Sequence, residues 1–345
     1  MNTPASPSAA PPVKRKITPS AIVDYLNQHV VGQDEAKKIL AVAVYSHYKK
    51  KLRQTSVEIA KSNILLIGPT GTGKTLLCET LSRALNVPFV TADATSLVQS
   101  KFVNDEIEAI LLRLLDKTEG DIAKAQNGIV FIDEIDKLKA TSGDGHGTSG
   151  ESVQHALLKI MEGSHVKLGD GRVIDTSNIL FICGGAFVGL ENITSKTHAY
   201  GFISTSDDDN QKILTRLNSR IKPTDLFEFG LIPEFAGRLP VIASFEKLSK
   251  AMLVKIMVEP RNCIYNQFRE ILAAEGVELT MEPGVFEQIS ELAFEYKVGA
   301  RSLRGIFEEM ITPVLYVIPD RPEIRKVMFS SLFDEPTLVL DTPGA

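Results

Sequence analysis

Tryptophan is absent from this chain, and cysteine is scarce. The three cysteines, Cys78, Cys183 and Cys263, lie far apart with no metal-ligand spacing. No Cys-x-x-Cys pair exists, so a structural zinc site has no support. Each cysteine reads as a small buried hydrophobe in a reducing compartment. No run reaches about 18 apolar residues, so no membrane-spanning helix is expected. A basic excess is also lacking. The net charge of −5 gives nucleic acid no broad field to follow, although local patches stay open. Residues 1–16 contain no apolar core of a signal peptide. Their Ala/Pro/Ser-rich composition predicts a disordered tail, and a cytoplasmic location is the default expectation.

What is present points to a folded chain of 345 residues, long enough for two cores. Its most informative stretch is Gly68-Pro69-Thr70-Gly71-Thr72-Gly73-Lys74-Thr75. An apolar run, Ile64-Leu65-Leu66-Ile67, precedes it, and a helical pattern opening at Leu76 follows. This is the strand–loop–helix setting of a phosphate-binding loop. Glycines let backbone N–H groups converge on phosphate oxygens, and the helix N-terminus adds partial positive charge. Lys74 is placed to reach the β- and γ-phosphates, and the Thr75 hydroxyl to bind Mg²⁺. A Gly-rich turn without a ligand is the bland alternative, and the flanking strand and helix weigh against it.

A second apolar run, Gly128-Ile129-Val130-Phe131-Ile132, ends in Asp133-Glu134. Such a run suits a strand buried on both faces. Carboxylates at its C-terminal end sit where open α/β sheets bind ligands. Asp133 is the candidate Mg²⁺ holder through water, and Glu134 the candidate general base. A surface acidic pair capping the next helix is the alternative. An acid at position 134 favours hydrolysis over mere binding.

Strands are expected at 63–67, 88–92, 128–132, 178–183 and 239–244, with helices between them. The alternation predicts an α/β parallel sheet flanked by helices. One strand falls between the loop strand and the acidic strand in sequence, which suggests that these two are not neighbours in the sheet. Helices are expected from Pro19, with Thr18 as N-cap, and from 34 to 53. Helical runs at 248–273, 283–296 and 300–316, a strand at 277–280 and strand-like residues from 326 to 340 predict a smaller, mainly helical α+β domain. The expected division is a tail at 1–16, a large domain at 17–246 and a small one at 247–345. Polar segments 141–150 and 194–212 read as loops.

Ordered blocks carry a resemblance. They are His29-Val30-Val31-Gly32-Gln33, the phosphate loop, Phe131-Ile132-Asp133-Glu134-Ile135-Asp136-Lys137 and Gln154-His155-Ala156-Leu157-Leu158-Lys159. Leu180 through Phe187, Phe229 through Pro240, and Gly299-Ala300-Arg301-Ser302-Leu303-Arg304 complete them. Together they resemble the AAA+ family of P-loop ATPases and, within it, the ClpX family of unfoldase subunits. The resemblance covers nearly the whole chain from residue 17 on. It implies ATP and Mg²⁺ as cofactors, a hexameric homo-oligomeric ring and protein substrates threaded through a central pore; the charge balance and the lack of a long apolar run leave no nucleic-acid or membrane partner expected. It implies nucleotide contacts from Pro69, Thr70, Gly71, Thr72, Gly73, Lys74, Thr75 and Leu76, with Val30 and Val31 clamping adenine. Arg238 matches the arginine finger that reaches a neighbouring subunit's γ-phosphate, and Arg301 matches the sensor-2 arginine.

Four departures stand out. The family's zinc-binding N-terminal domain has no counterpart here, so zinc is not expected. The family's Gly-Tyr-Val-Gly pore loop is matched by Lys101-Phe102-Val103-Asn104, where Phe102 keeps an aromatic grip; a core aromatic is its alternative. The basic pore-entrance loop has shrunk to a short segment, 164–175, whose only Lys/Arg residues are Lys167 and Arg172. A second pore loop falls at 145–151. At the peptidase-docking position stands Tyr200-Gly201-Phe202, with tyrosine where the family has an aliphatic residue. Docking to a Clp-type peptidase and a free-standing unfoldase both stay open. A nucleic-acid motor and a non-hydrolysing ATP-binding scaffold are the competing readings; neither has a motif of its own.

Overall fold

The computed structural model describes residues 17–52, 61–100, 102–139, 150–199 and 220–341. The run before the phosphate loop forms strand β1 (Ile64–Ile67), followed by β2 (Phe89–Asp93) and β3 (Ile129–Asp133). A short antiparallel hairpin, β4 (His165–Lys167) with β5 (Val173–Asp175), leads into β6 (Leu180–Gly185), and β7 (Val241–Ser244) ends the domain. Five of these make one parallel sheet, ordered β2-β3-β6-β1-β7. The later strand β6 therefore separates the loop strand from the acidic strand, as the intervening strand led us to expect.

Successive residues of a strand face opposite sides, and both sides here are apolar. Ile64, Leu66, Ile129, Phe131, Leu180 and Ile182 pack with Leu26, Leu40, Leu77 and Leu81 on one face. Leu65, Val130, Ile132, Phe181 and Cys183 pack on the other, against residues of helices Val103–Asp116 and Gly150–Glu162. Double-sided burial explains the continuous apolar runs. All three cysteines are buried and unpaired. The Thr18 hydroxyl accepts from Ala21 N at 3.2 Å, capping helix Pro19–Asn27.

A separate core runs from Leu248 to Phe329. It lies among four helices and a sheet of β8 (Glu278–Met281), β9 (Ile324–Phe329) and β10 (Thr337–Leu340). At its centre Phe268 stacks on Phe307, with centroids 5.8 Å apart. The single helical run expected at 248–273 is two helices, Lys250–Val258 and Ile264–Ala274. Pro260 lies in the break, where its missing N–H and ring would disrupt a continuous helix. The loop expected from 194 is also corrected: residues 194–199 end helix Leu190–Ala199. Among the described residues, no helix is long and apolar enough to cross a membrane.

Hydrogen bonds tie the first domain to the second and to the chain that leads into it. Gln33 Nε2 donates to Glu246 O at 3.0 Å, and its Oε1 accepts from Glu246 N at 2.9 Å. Arg261 N donates to Gln28 O at 3.0 Å, and Ala300 N to Gly71 O at 3.2 Å.

Candidate functional site

The helix Lys74–Leu85 begins where the glycine loop leaves β1, so its N-terminus faces the C-terminal end of the sheet. There a cavity of about 530 Å³ is lined by the loop, the acidic turn and the second core's Ala300 and Arg301. Thr70, Gly71, Gly73, Lys74, Thr75 and Leu76 line it from the loop, and Asp133 and Glu134 from β3 and the turn after it. Pro69 and Thr72 do not line it. Instead the Thr72 hydroxyl donates to Pro69 O at 2.8 Å and closes the loop on itself.

Lys74 is buried, and its Nζ donates to the Gly68 and Pro69 carbonyls at 2.6 and 3.0 Å. Burial draws its pKa below the ordinary lysine value; Asp133 and Asp136 oppose this, while Arg301 adds to it. A bound polyphosphate would favour the charged ammonium. The Thr75 hydroxyl stands 3.4 Å from Asp133 Oδ2. Two hard oxygen donors converge there, which fits Mg²⁺ held with waters beside a phosphate. Among the described residues, no group of three or more His, Cys, Asp or Glu is placed to hold a metal.

Glu134 takes a left-handed backbone conformation, φ 58°, rare outside glycine. Its N–H donates to Asp133 Oδ1 at 2.9 Å. The sharp turn follows directly on the carboxylate that meets Thr75, and both Asp133 and Glu134 line the cavity.

The junction with the second core is unusually close. Gly71 and Gly299 both have positive φ, 79° and 66°. A Cβ on Gly71 would strike the Val298 carbonyl, and one on Gly299 would sit 2.8 Å from Gly71 O. Only glycines allow this approach. It sets Arg301, the first residue of helix Arg301–Val317, at the cavity wall.

Other expected residues lie elsewhere. Val30 and Val31 are not in the cavity lining. Val30 is buried in the core beside Leu26 and Leu40, and its carbonyl accepts from Lys37 Nζ at 2.6 Å. Val31 is half-buried. Arg238 also stands outside its own chain's cavity; its guanidinium pairs with Glu162 at 2.5 Å, with both side chains about half exposed. Phe102 caps helix Val103–Asp116 and is 69% exposed, so it is not the core aromatic that was the alternative. Val103, by contrast, packs against the core. Segment 164–175 is the β4–β5 hairpin, where Arg172 pairs with Asp170. Of the second pore loop, residues 150 and 151 open a helix and the rest lie outside the described residues, as do Lys101, Tyr200, Gly201 and Phe202.

The cavity also has linings that no motif had assigned: Asp136, Lys137, Ala186 and Ala300. Asp136 is buried, and its Oδ1 accepts from Ala186 N at 3.2 Å, tying the acidic turn to the end of β6. All four fall inside the blocks quoted above, but the contact between turn and strand has no local signature.

Known proteins resemble this chain in sequence. Residues 59–242 match the AAA domain family (Cdc48 subfamily), and residues 248–326 match the C-terminal D2-small domain of ClpB protein. A ClpX 3 protein of Methylococcus capsulatus, named an ATP-dependent Clp protease ATP-binding subunit, is 44% identical over 339 residues, covering 89% of this chain and 78% of its own length. The ClpX proteins of Borrelia duttonii and Borrelia recurrentis, named likewise, are each 44% identical over 337 residues, covering 90% of this chain and 77% of their own. A phosphate loop, an acidic turn and a second-domain arginine around one cavity accompany that similarity; the chain belongs to the ClpX family of AAA+ ATPases.

Proposed function

We propose that this chain is an ATP-driven protein unfoldase and translocase, assembled as a hexameric ring in the cytoplasm and able to pass substrates to a Clp-type peptidase. The observation that carries the reading is the single cavity shared by Lys74, Asp133, Glu134 and the second domain's Arg301. The relatives' printed names support the peptidase partner. Two separate cores support a division at 246/247; the tail at 1–16 rests on its composition and lies outside the described residues.

In this reading the loop amides, Lys74 and Arg301 hold the phosphates. Thr75 and Asp133 hold Mg²⁺, which when bound neutralises charge on the phosphates. Glu134 accepts the proton of the attacking water. Val30 and Val31 remain the proposed adenine contacts, with Val30 also packing in the core. Arg238 acts on the neighbouring subunit's nucleotide, where a planar guanidinium suits charge spread over several phosphate oxygens. That it does not line its own chain's cavity supports this role. Ala300 and Gly71 couple the site to the second domain, whose rotation would drive Phe102 against a substrate. Tyr200-Gly201-Phe202 is the proposed peptidase contact.

The test is unfolding of a tagged fluorescent substrate with ATP, comparing wild type, Glu134→Gln and Phe102→Ala, each with and without Clp peptidase. Unfolding by wild type and its loss in both variants is the expected result. Peptide release in the presence of peptidase adds the docking step. ATP hydrolysis without unfolding of any substrate would instead indicate a stand-alone remodelling factor.

A further inference from the structure

Gln154 belongs to a block that has so far received no task. It is fully buried in helix Gly150–Glu162. Its Nε2 donates to Leu138 O at 2.7 Å, and its Oε1 accepts from Ile232 N at 2.8 Å. The amide can satisfy both groups in only one orientation, because its nitrogen only donates and its oxygen only accepts. Leu138 closes the one-turn 3-10 helix Ile135–Leu138, which directly follows Asp133 and Glu134. Ile232 is the N-cap of helix Pro233–Gly237, and Arg238 is the residue that ends that helix. One side chain thus bridges the catalytic acidic turn and the short helix that carries Arg238.

The rest of the Gln154 helix reinforces the bridge. At its start, Gly150 lies so tightly on the Leu138 carbonyl that a Cβ would collide with it. At its end, Glu162 pairs with the Arg238 guanidinium. Asn63 Nδ2 donates to both Met161 O and Arg238 O at 3.2 Å. One end of the helix is fixed to the acidic turn and the other to Arg238. Breaking the Gln154 bonds would strand a buried carbonyl and a partly buried N–H, which makes the bridge stiff.

We propose that Gln154 is a positioning residue that couples the state of its own subunit's acidic turn to the placement of Arg238 at the next subunit's nucleotide. The inference rests on the reading of Arg238 as acting in the neighbouring site. When the turn shifts, the bridge carries the shift to the N-cap of the Arg238 helix. A leucine or methionine would fill the same volume; only the amide joins the two backbone groups.

Two variants separate the possibilities. Gln154→Glu keeps the acceptor for Ile232 N–H and sets an oxygen against the Leu138 carbonyl, whereas Gln154→Met removes both bonds. The measurements are ATPase kcat, KM, Hill coefficient and melting temperature of the assembled protein. Both variants should lower kcat about tenfold, with KM within about twofold, and move the Hill coefficient toward one. A purely structural Gln154 would lower the melting temperature and leave kcat and the Hill coefficient at wild-type values, which would overturn the coupling. Mixing Arg238→Ala subunits with Glu134→Gln subunits tests the parent reading separately: recovered hydrolysis requires Arg238 to act in trans, and no recovery sinks both ideas whatever Gln154 does. Should both Gln154 variants fail to fold, hydrogen exchange at Ile232 N–H in the wild-type ring decides. Coupling requires its protection to differ about tenfold between ADP and a non-hydrolysable ATP analogue; equal protection overturns it.

Discussion

Replacing Gly299 by alanine puts a methyl group 2.8 Å from the Gly71 carbonyl oxygen, inside ordinary contact distance. Two costs arise, and they fall on different observables. The left-handed backbone at Gly299 costs an alanine about 1–2 kcal/mol wherever the second domain is folded, so it lowers the melting temperature. The collision concerns only the junction. Its other party is backbone of the phosphate loop, which cannot swing aside as a side chain can. The domains must part slightly, losing the Ala300–Gly71 hydrogen bond, worth about 1 kcal/mol, with overpacking of about 1 kcal/mol or more added. About 2 kcal/mol at the junction corresponds to roughly 30-fold weaker nucleotide binding. Titration with a fluorescent ATP analogue reads this directly. Gly305→Ala is the control: it lies in the helix that follows Gly299, with no heavy atom within 4 Å of its would-be Cβ. It should bind nucleotide normally and gain up to about 1 kcal/mol of stability. If Gly299→Ala binds within twofold of wild type, or Gly305→Ala is equally impaired, the close-approach argument is wrong.

Glu134→Gln should bind ATP and lose at least about a hundredfold in kcat; a normal single-turnover burst of phosphate would remove it from the base role. Arg238→Ala should lower kcat roughly a thousandfold with KM little changed, and its melting temperature should barely move because the Glu162 pair is half exposed. Phe102→Ala should change stability by less than about 0.5 kcal/mol, as its exposure of 69% dictates, while abolishing unfolding; a large fall in melting temperature would refute the surface role. Lys61 offers a pH test. Burial pulls its pKa from 10.5 to about 7, with Asp175 opposing, while its ammonium sits over the Phe181 ring and donates to Thr176 O. The unfolded chain then binds more protons between those values, so stability should rise with pH from about 7 toward the ordinary lysine range. Lys61→Met should flatten that rise in urea melts at pH 7 and 9.5; identical slopes in both proteins would refute it.

Much of the nucleotide site was legible because it is local. A strand buried on both faces writes a continuous apolar run, and phosphate chemistry demands glycines, lysine and a hydroxyl at fixed spacing. The order of the sheet was legible only in part, through the strand that intervenes between loop and acid. Elements that depend on distant partners were not. The Asp136–Ala186 bond joins residues 50 apart, and the Gln154–Ile232 bond residues 78 apart; nothing near any of them announces it. The amphipathic pattern across 248–273 ran straight through Pro260 because its period outlasted the helix. The burial of Val30 among neighbours such as Leu26 and Leu40 was likewise not written in its block.

The Gln33–Glu246 double hydrogen bond, spanning 213 residues, has a mechanical consequence. Part of any load on the second domain reaches the first through the chain leaving β7, the sheet's edge strand. A pull along that strand would shear its four residue pairs with β1 together instead of peeling them one by one. The Phe245–Ile67 bond and the Gln33 amide lie at the point where force enters, like a knot tied before the seam. A ring subunit that hauls on a resisting polypeptide must not unravel itself first, and this stitch fastens the edge strand where the linking chain leaves it.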